Sequence, residues 1–271
     1  MSRFIISRLL PVTILLCGCT SGTSANSSEE IRNDDKEVIN PVETPQEPDS
    51  IPFKTKEFEK KKGENVLEIE YPVSGNPELL KSIRTWMNEM LSDTYKGNLD
   101  DADAFFRHYA SLLGTDPEME EYGGFTINKL DVEYLSDLIV TYEHESYEYE
   151  GGAHGMGGSY GTTFLCSDGT IFDKDCFTSY KPMQQLFIDG LKRYFKVKTD
   201  KELLDCLISI DNVNKIAPPG RRPWVDEDGV VFSYSPYEIA PYSAGAPNFT
   251  IPYSKIAPYL TDKGKRFFNA Q

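Results

Sequence analysis

Alternation with a period of two and recurrence with a period near 3.6 occupy separate blocks of this sequence, and that segregation constrains the fold more than any other feature. Leu67, Ile69 and Tyr71 alternate with Glu68 and Glu70, the pattern of a half-buried strand. Asn76-Pro77 then opens a helix, with Asn76 as cap and Pro77 at the first helical position. Its core face is read as Leu79, Leu80, Ile83, Trp86, Met87, Met90 and Leu91. A second helix is expected over residues 102–113, with Phe105, Phe106, Tyr109 and Leu112 inward and Gly114 as its stop. From Phe125 to Phe177 the pattern is strand-like, Val140, Tyr142 and His144 alternating with Thr141, Glu143 and Glu145. The phase slips before Tyr147 and Tyr149, which predicts a bulge feeding the glycine-rich residues 151–158, with strand resuming at Thr162. Helices return at Pro182, with Met183, Phe187, Leu191 and Tyr194 inward, and at the Thr199/Glu202 capping box, running to about Ile208. Strands close the chain around Tyr234, Tyr237, Tyr242 and Phe249 to Ile251. Blocks without regular βα alternation define an α+β fold, mixed helices packed on antiparallel sheets.

The first twenty residues carry a different message. Arg3 and Arg8 flank an apolar run ending in Leu16-Cys17-Gly18-Cys19, too short for the roughly 20 residues of a spanning helix. This is the pattern of a lipoprotein export signal: Gly18 supplies the small residue before Cys19, whereas Leu16 fails for Cys17, so Cys19 is the expected lipid acceptor. Residues 1–18 are the expected signal peptide. Residues 19–50, rich in Ser, Asn, Asp, Glu and Pro, bury too little to fold and form an acidic tether about 30 Å long. Two intertwined subdomains follow, residues 51–158 and 159–262.

Cleavage before Cys19 removes two arginines and takes the formal charge from −15 to −17. Such a field repels nucleic acid and anionic membrane surfaces, and favours basic partners or simple solubility. Besides Cys19 the mature chain keeps Cys166, Cys176 and Cys206, so at most one bridge can form among these three. A two-residue turn at Asp168-Gly169 sets Cys166 opposite Ile171 and Cys176 opposite Gly161, which separates those two thiols; bridges to Cys206 stay open.

Gly157-Gly158-Ser159-Tyr160-Gly161 matches the G-x-S-x-G nucleophile elbow, but the residues after Ser159 are strand-like and no histidine follows His154. The three histidines lack metal-ligand spacing, and the glycine-rich segment lacks the lysine of a phosphate loop. The expectation is a non-enzyme with no cofactor and no metal. His154 is read as closing a turn by bonding to backbone, and His144 as packing on an aromatic sheet face.

Three segments resemble a known pair of domain families. Tyr147 to Tyr149 followed by Gly151-Gly152-Ala153-His154 resembles a signature of the domain of unknown function 4163, and Leu165 to Phe172 with Asp175-Cys176-Phe177 resembles its continuation. The run from Phe232 through Tyr234, Tyr237 and Tyr242 to Gly245, with Ile251-Pro252-Tyr253-Ser254, resembles the end of the domain of unknown function 3298. The same pair forms the extracellular part of the lysozyme-binding anti-sigma-V factor family, although no cytoplasmic sigma-binding segment is seen here. The resemblance implies a cell-envelope binding module for lysozyme-like proteins or peptidoglycan; joined to the export signal, the expectation is a lipid-anchored protein at the outer membrane of a Gram-negative bacterium, whose partner is a basic protein such as lysozyme. The alternative is peptidoglycan or another glycan, stacked on side chains such as Trp224 and Tyr242; an unrecognised hydrolase is the third.

Overall fold

The computed structural model describes residues 51–268; the expected signal peptide, the lipid acceptor Cys19 and the tether lie outside them. The described residues belong to one compact unit. Strand β1 (Lys54–Lys62) pairs antiparallel with β2 (Asn65–Ser74). Helices α1 (Pro77–Met90), α2 (Ala102–Leu112) and α3 (Pro117–Glu121) then carry the chain back to the end at which β2 began. Strand β3 (Phe125–Leu135) therefore lies parallel to β2, because a helical crossover returns the chain in the same direction. Strands β4 (Ile139–Tyr149) and β5 (Met156–Leu165) complete, antiparallel, a sheet in the order β1-β2-β3-β4-β5. The architecture is α+β as expected, but this sheet is mixed and not purely antiparallel.

The second half contributes α4 (Gln184–Phe195), α5 (Asp200–Asp205), a small antiparallel sheet of β6 (Trp224–Val225), β7 (Val230–Ser233) and β8 (Asn248–Ile251), and the short helices α6 (Tyr253–Ile256) and α7 (Asp262–Lys265). Among the described residues no helix is long and apolar enough to cross a membrane.

Two buried clusters share the five-stranded sheet. Leu67, Ile69, Tyr71, Leu130, Val140, Tyr142 and Phe164 pack under Ile83, Trp86, Met87 and Phe105 of α1 and α2. Ile139 and Leu165 instead join the second cluster, with Phe187, Leu191, Phe232 and Phe249. A hydroxyl pair joins the halves: Thr163 Oγ1 accepts the Val225 N–H at 2.8 Å, and Thr141 Oγ1 donates to the Val225 carbonyl at 2.7 Å. Position 158/159, the expected subdomain boundary, falls inside β5.

Local signals hold well where they rest on backbone chemistry. Asn76 Oδ1 accepts from the N–H groups of Glu78 and Leu79, and the Thr199/Glu202 capping box is formed. Tertiary context moves the rest. Met90, at the last turn of α1, is 38% exposed, while Arg84 and Asn88 are buried in its stead. Arg84 satisfies its guanidinium on the Pro72 carbonyl at 3.1 and 3.0 Å and on Asp100. Asn88 bonds the Tyr109 hydroxyl at 2.5 Å. Leu112 is exposed and Leu113 buried, because the backbone turns extended at Leu113. α5 ends at Asp205, short of Ile208.

The bulge expected before Tyr147 is absent. β4 and β5 stay in register from Ile139 opposite Leu165 to Glu148 opposite Met156, so Tyr147 and Tyr149 simply share the face of Thr141 and Glu143. The irregularity sits in β3, between Val132 and Tyr134. The turn after β5 is also displaced: Ile171 faces Phe164, not Cys166, because Gly169 N–H reaches the Leu165 carbonyl and closes a wider loop. Gly161, by that register, faces Glu143 and not Cys176. Cys176 ends a one-turn 3₁₀ helix in the second core, and all three described cysteines are free thiols. Tyr237 and Tyr242 lie in turns and not in strands.

Candidate functional site

The tip of the β4–β5 hairpin meets the turn that follows β7, and this contact assembles most of the residues singled out from sequence. The His154 ring stacks on Tyr242, centroids 4.0 Å apart and planes 18° from parallel, and Tyr242 stacks on Tyr237 at 5.5 Å. Gly155 anchors the assembly. Its carbonyl accepts from the Tyr242 hydroxyl at 2.5 Å and from His154 Nδ1 at 3.0 Å, and its N–H donates to the Tyr147 hydroxyl at 3.2 Å. His154 thus bonds to backbone as expected, with Nδ1 carrying the proton. The Tyr149 hydroxyl donates to the Gly152 carbonyl at 2.8 Å, so both tyrosines before the glycines brace the loop after them.

Gly151, not Gly152, carries the backbone requirement. Gly151 has φ +87° and a Cβ there would lie 2.8 Å from the Tyr122 carbonyl, whereas Gly152 faces open space. Ala153 is an exposed spacer between them and His154. Tyr234 leaves the candidate set: its ring is fully buried in the second core and its hydroxyl donates to the Ala217 carbonyl at 2.8 Å. Burial pushes the Tyr234 phenol pKa upward. Trp224, half-buried, lies over Gly161, which leaves room for its indole only by lacking a Cβ.

Away from the helices, the sheet opens an acidic face. Glu57 and Glu59 on β1 stand opposite Glu70 and Glu68 on β2, and Asp131 on β3 stands opposite Glu143 on β4. Lys61 pairs with Glu59 and Glu68, and Lys129 with Glu145 at 2.9 Å. The cations are outnumbered, and like charges directly across strands repel. Partial burial, then Glu70 and Glu68, push the Asp131 carboxyl pKa up to about 6. Glu70 also accepts the Val132 N–H at 2.8 Å, next to the irregularity in β3. The face forms a shallow cavity of about 480 Å³ between β1, β2 and Asp131. Sequence reading saw the alternating glutamates but missed their convergence, which four strands create together.

Ser159 lies within β5, and its hydroxyl donates to Glu143. His144, on the other side of the sheet, has Nε2 3.2 Å from Asn128 Oδ1. Burial, then the positive charge of Arg221, lower its pKa to about 4. His108 contacts the Thr94 hydroxyl at 2.9 Å. Among the described residues no three acidic, histidine or cysteine side chains gather as a metal-holding group. Burial lifts the Cys166 thiol to about 11, which keeps it protonated at neutral pH.

The fold and this junction define an α+β protein whose two halves meet over one sheet, with a ring stack at the β4–β5 hairpin tip and an acidic face on the sheet. Residues 172–254 match the family described as "Protein of unknown function (DUF3298)", so the chain carries that domain in its second half. Two solved structures share the fold. A DUF3298 family member from Bacteroides fragilis NCTC 9343 aligns with a TM-score of 0.59 at 20% identity, over 80% of this chain and 96% of that one. A DUF3298 family protein from Pseudomonas aeruginosa PAO1 aligns with a TM-score of 0.53 at 18% identity, over 83% of this chain and 99% of that one. No curated protein matches the chain.

Proposed function

We propose that this is a non-enzymatic binding protein of the cell envelope, anchored by lipid on Cys19 to the outer membrane of a Gram-negative bacterium, with a basic, lysozyme-like protein as its partner. The observation that carries the reading is the open acidic face of the sheet, where carboxylates from four strands face solvent with few cations among them. Opposite charge on a partner relieves that repulsion and speeds encounter. The sequence likeness of residues 147–154 to the domain of unknown function 4163, and of the pair to the lysozyme-binding anti-sigma-V factor family, supports the same partner class. The placement of Ser159 inside a strand, tied to a carboxylate, favours a binding role over hydrolysis.

A titration of the protein against lysozyme across ionic strength tests the partner. Affinity is expected to fall by about tenfold or more between 50 and 500 mM salt, and to weaken in the double variant Glu68→Gln, Glu70→Gln. Salt-independent binding, or none at low salt, overturns it. Fatty-acid labelling tests the anchor, which Cys19→Ala should abolish and Cys17→Ala should spare. A second reading, peptidoglycan or another glycan as partner, is favoured by the exposed ring of Tyr237, stacked on the half-buried Tyr242.

A further inference from the structure

Tyr237 occupies a backbone conformation that a bulky residue adopts at a cost and receives little burial in return. Its φ is +66°, a region where glycine or asparagine would hold the same turn with less strain. Its side chain nonetheless remains 51% exposed, so the ring contributes less to the core than its size permits. The surrounding turn is built to hold it there. The Glu238 carboxylate accepts the N–H groups of Gly220 and Ser235, each at 2.7 Å, and the Glu238 N–H returns to the Ser235 carbonyl at 3.0 Å. Behind Tyr237 stand Tyr242 and His154, a stack fixed through Gly155. Strain retained in an exposed residue by a well-bonded frame marks a position kept for what it meets.

The neighbouring groups indicate the chemistry of that encounter. In the same turn, Ser235 Oγ accepts from Arg221 Nε at 2.9 Å, and the guanidinium carbon lies 3.2 Å over the Tyr160 ring. Arg221 is thereby held flat, and its other N–H groups make no hydrogen bond among the described residues. A rigid aromatic face in a turn to which a fixed planar donor is bonded suits a ligand with an apolar C–H face and a rim of oxygens. A pyranose ring has that form.

We propose that the outer face of Tyr237 is a stacking site for a pyranose ring of a glycan chain, with Arg221 donating to the sugar's oxygens. The proposal rests on the glycan reading of the function and is independent of the acidic face. The test titrates the full-length chain with a soluble tetramer of β-1,4-linked N-acetylglucosamine and with muropeptides released from peptidoglycan. Saturation-transfer NMR on the sugar C–H protons reads contact, and thermal melts read folding. Wild type should bind and show transfer to the C–H face; Tyr237→Ala should lose about tenfold or more in affinity with its melting temperature little changed, and Tyr237→Trp should retain binding. Tyr237→Gly, which relieves the left-handed backbone, should melt no lower than wild type and still fail to bind. Binding by Tyr237→Ala at wild-type strength would sink the site and leave the glycan reading standing. Absence of wild-type binding to either probe sinks both. Loss of lysozyme binding in Tyr237→Ala, with sugar binding intact, would make this surface a protein contact and also overturn the proposal.

Discussion

One face of the five-stranded sheet is largely closed over by α1 and α2 and the other is partly open, and a single titratable group on each responds to its surroundings in the opposite direction. On the closed side, burial holds His144 neutral with a pKa near 4. On the open side, Asp131 is only half-buried, yet desolvation and two glutamates lift it to about 6. The two residues lie on adjacent strands, His144 opposite Leu130 and Asp131 opposite Glu143. The closed face is stabilised by what it excludes; the open face tolerates repulsion that a cationic partner would relieve.

Truncation should separate the faces most strongly. Trp86, 3% exposed and packed against Tyr142 and Phe164, should cost about 3–5 kcal/mol as Trp86→Ala, through lost burial and the cavity left behind. Glu68→Ala on the open face should stay within about 0.5 kcal/mol of wild type or stabilise, since it removes a like-charge neighbour. Chemical denaturation of both variants measures the contrast. Equal costs would erase it.

Acidity should sharpen the comparison further. Because the folded state holds a proton on Asp131 that the unfolded chain has lost, the Asp131 contribution falls as pH rises from about 4 to 6. His144 has the reverse sign: the unfolded chain takes up its proton first, so stability is lost as pH drops from about 6.5 towards 4. The two slopes oppose each other over the same window. Asp131→Asn should therefore gain about 1–2 kcal/mol over wild type at pH 7, with the gain fading by pH 4. His144→Asn should lose less than wild type on acidification. Denaturation curves at half-unit pH steps check both signs, and a parallel pH profile for wild type and Asp131→Asn would refute the assignment of repulsion to that carboxyl.

The most local contrast distinguishes two adjacent glycines at the hairpin tip. Gly151→Ala should cost about 1–3 kcal/mol, from a left-handed backbone and a clash with Tyr122, while Gly152→Ala should be nearly neutral. Thermal melts of the pair decide it; similar losses at both would mean that the loop is uniformly constrained.

What was legible beforehand had its cause within a few residues. Asn76 and Pro77 start a helix, and Thr199 with Glu202 starts another, because their partners are backbone groups in the first turn. The alternation of Leu67, Ile69 and Tyr71 reads as one buried face for the same local reason. Strand β1 was invisible, since only Phe58 is apolar in Lys54–Lys62; its strand state comes from pairing with β2 and from the stack of Phe58 on Phe106. Tyr234 and Tyr237 lie three residues apart in one motif, yet one is buried in the core and the other points outward. That sorting depends on a left-handed residue and a glutamate clamp reaching back to Gly220.

The residues alone determined the α+β class, the helix starts and the polar alternation of the strands, because capping and periodicity act over one or two turns of chain. Only the tertiary structure decided that Tyr242 would meet Gly155, 87 residues away, and that glutamates from separate strands would share one face with Asp131. Those outcomes depend on strand order, register and the docking of Val225 on two threonines, energies that exist only once distant segments are in contact.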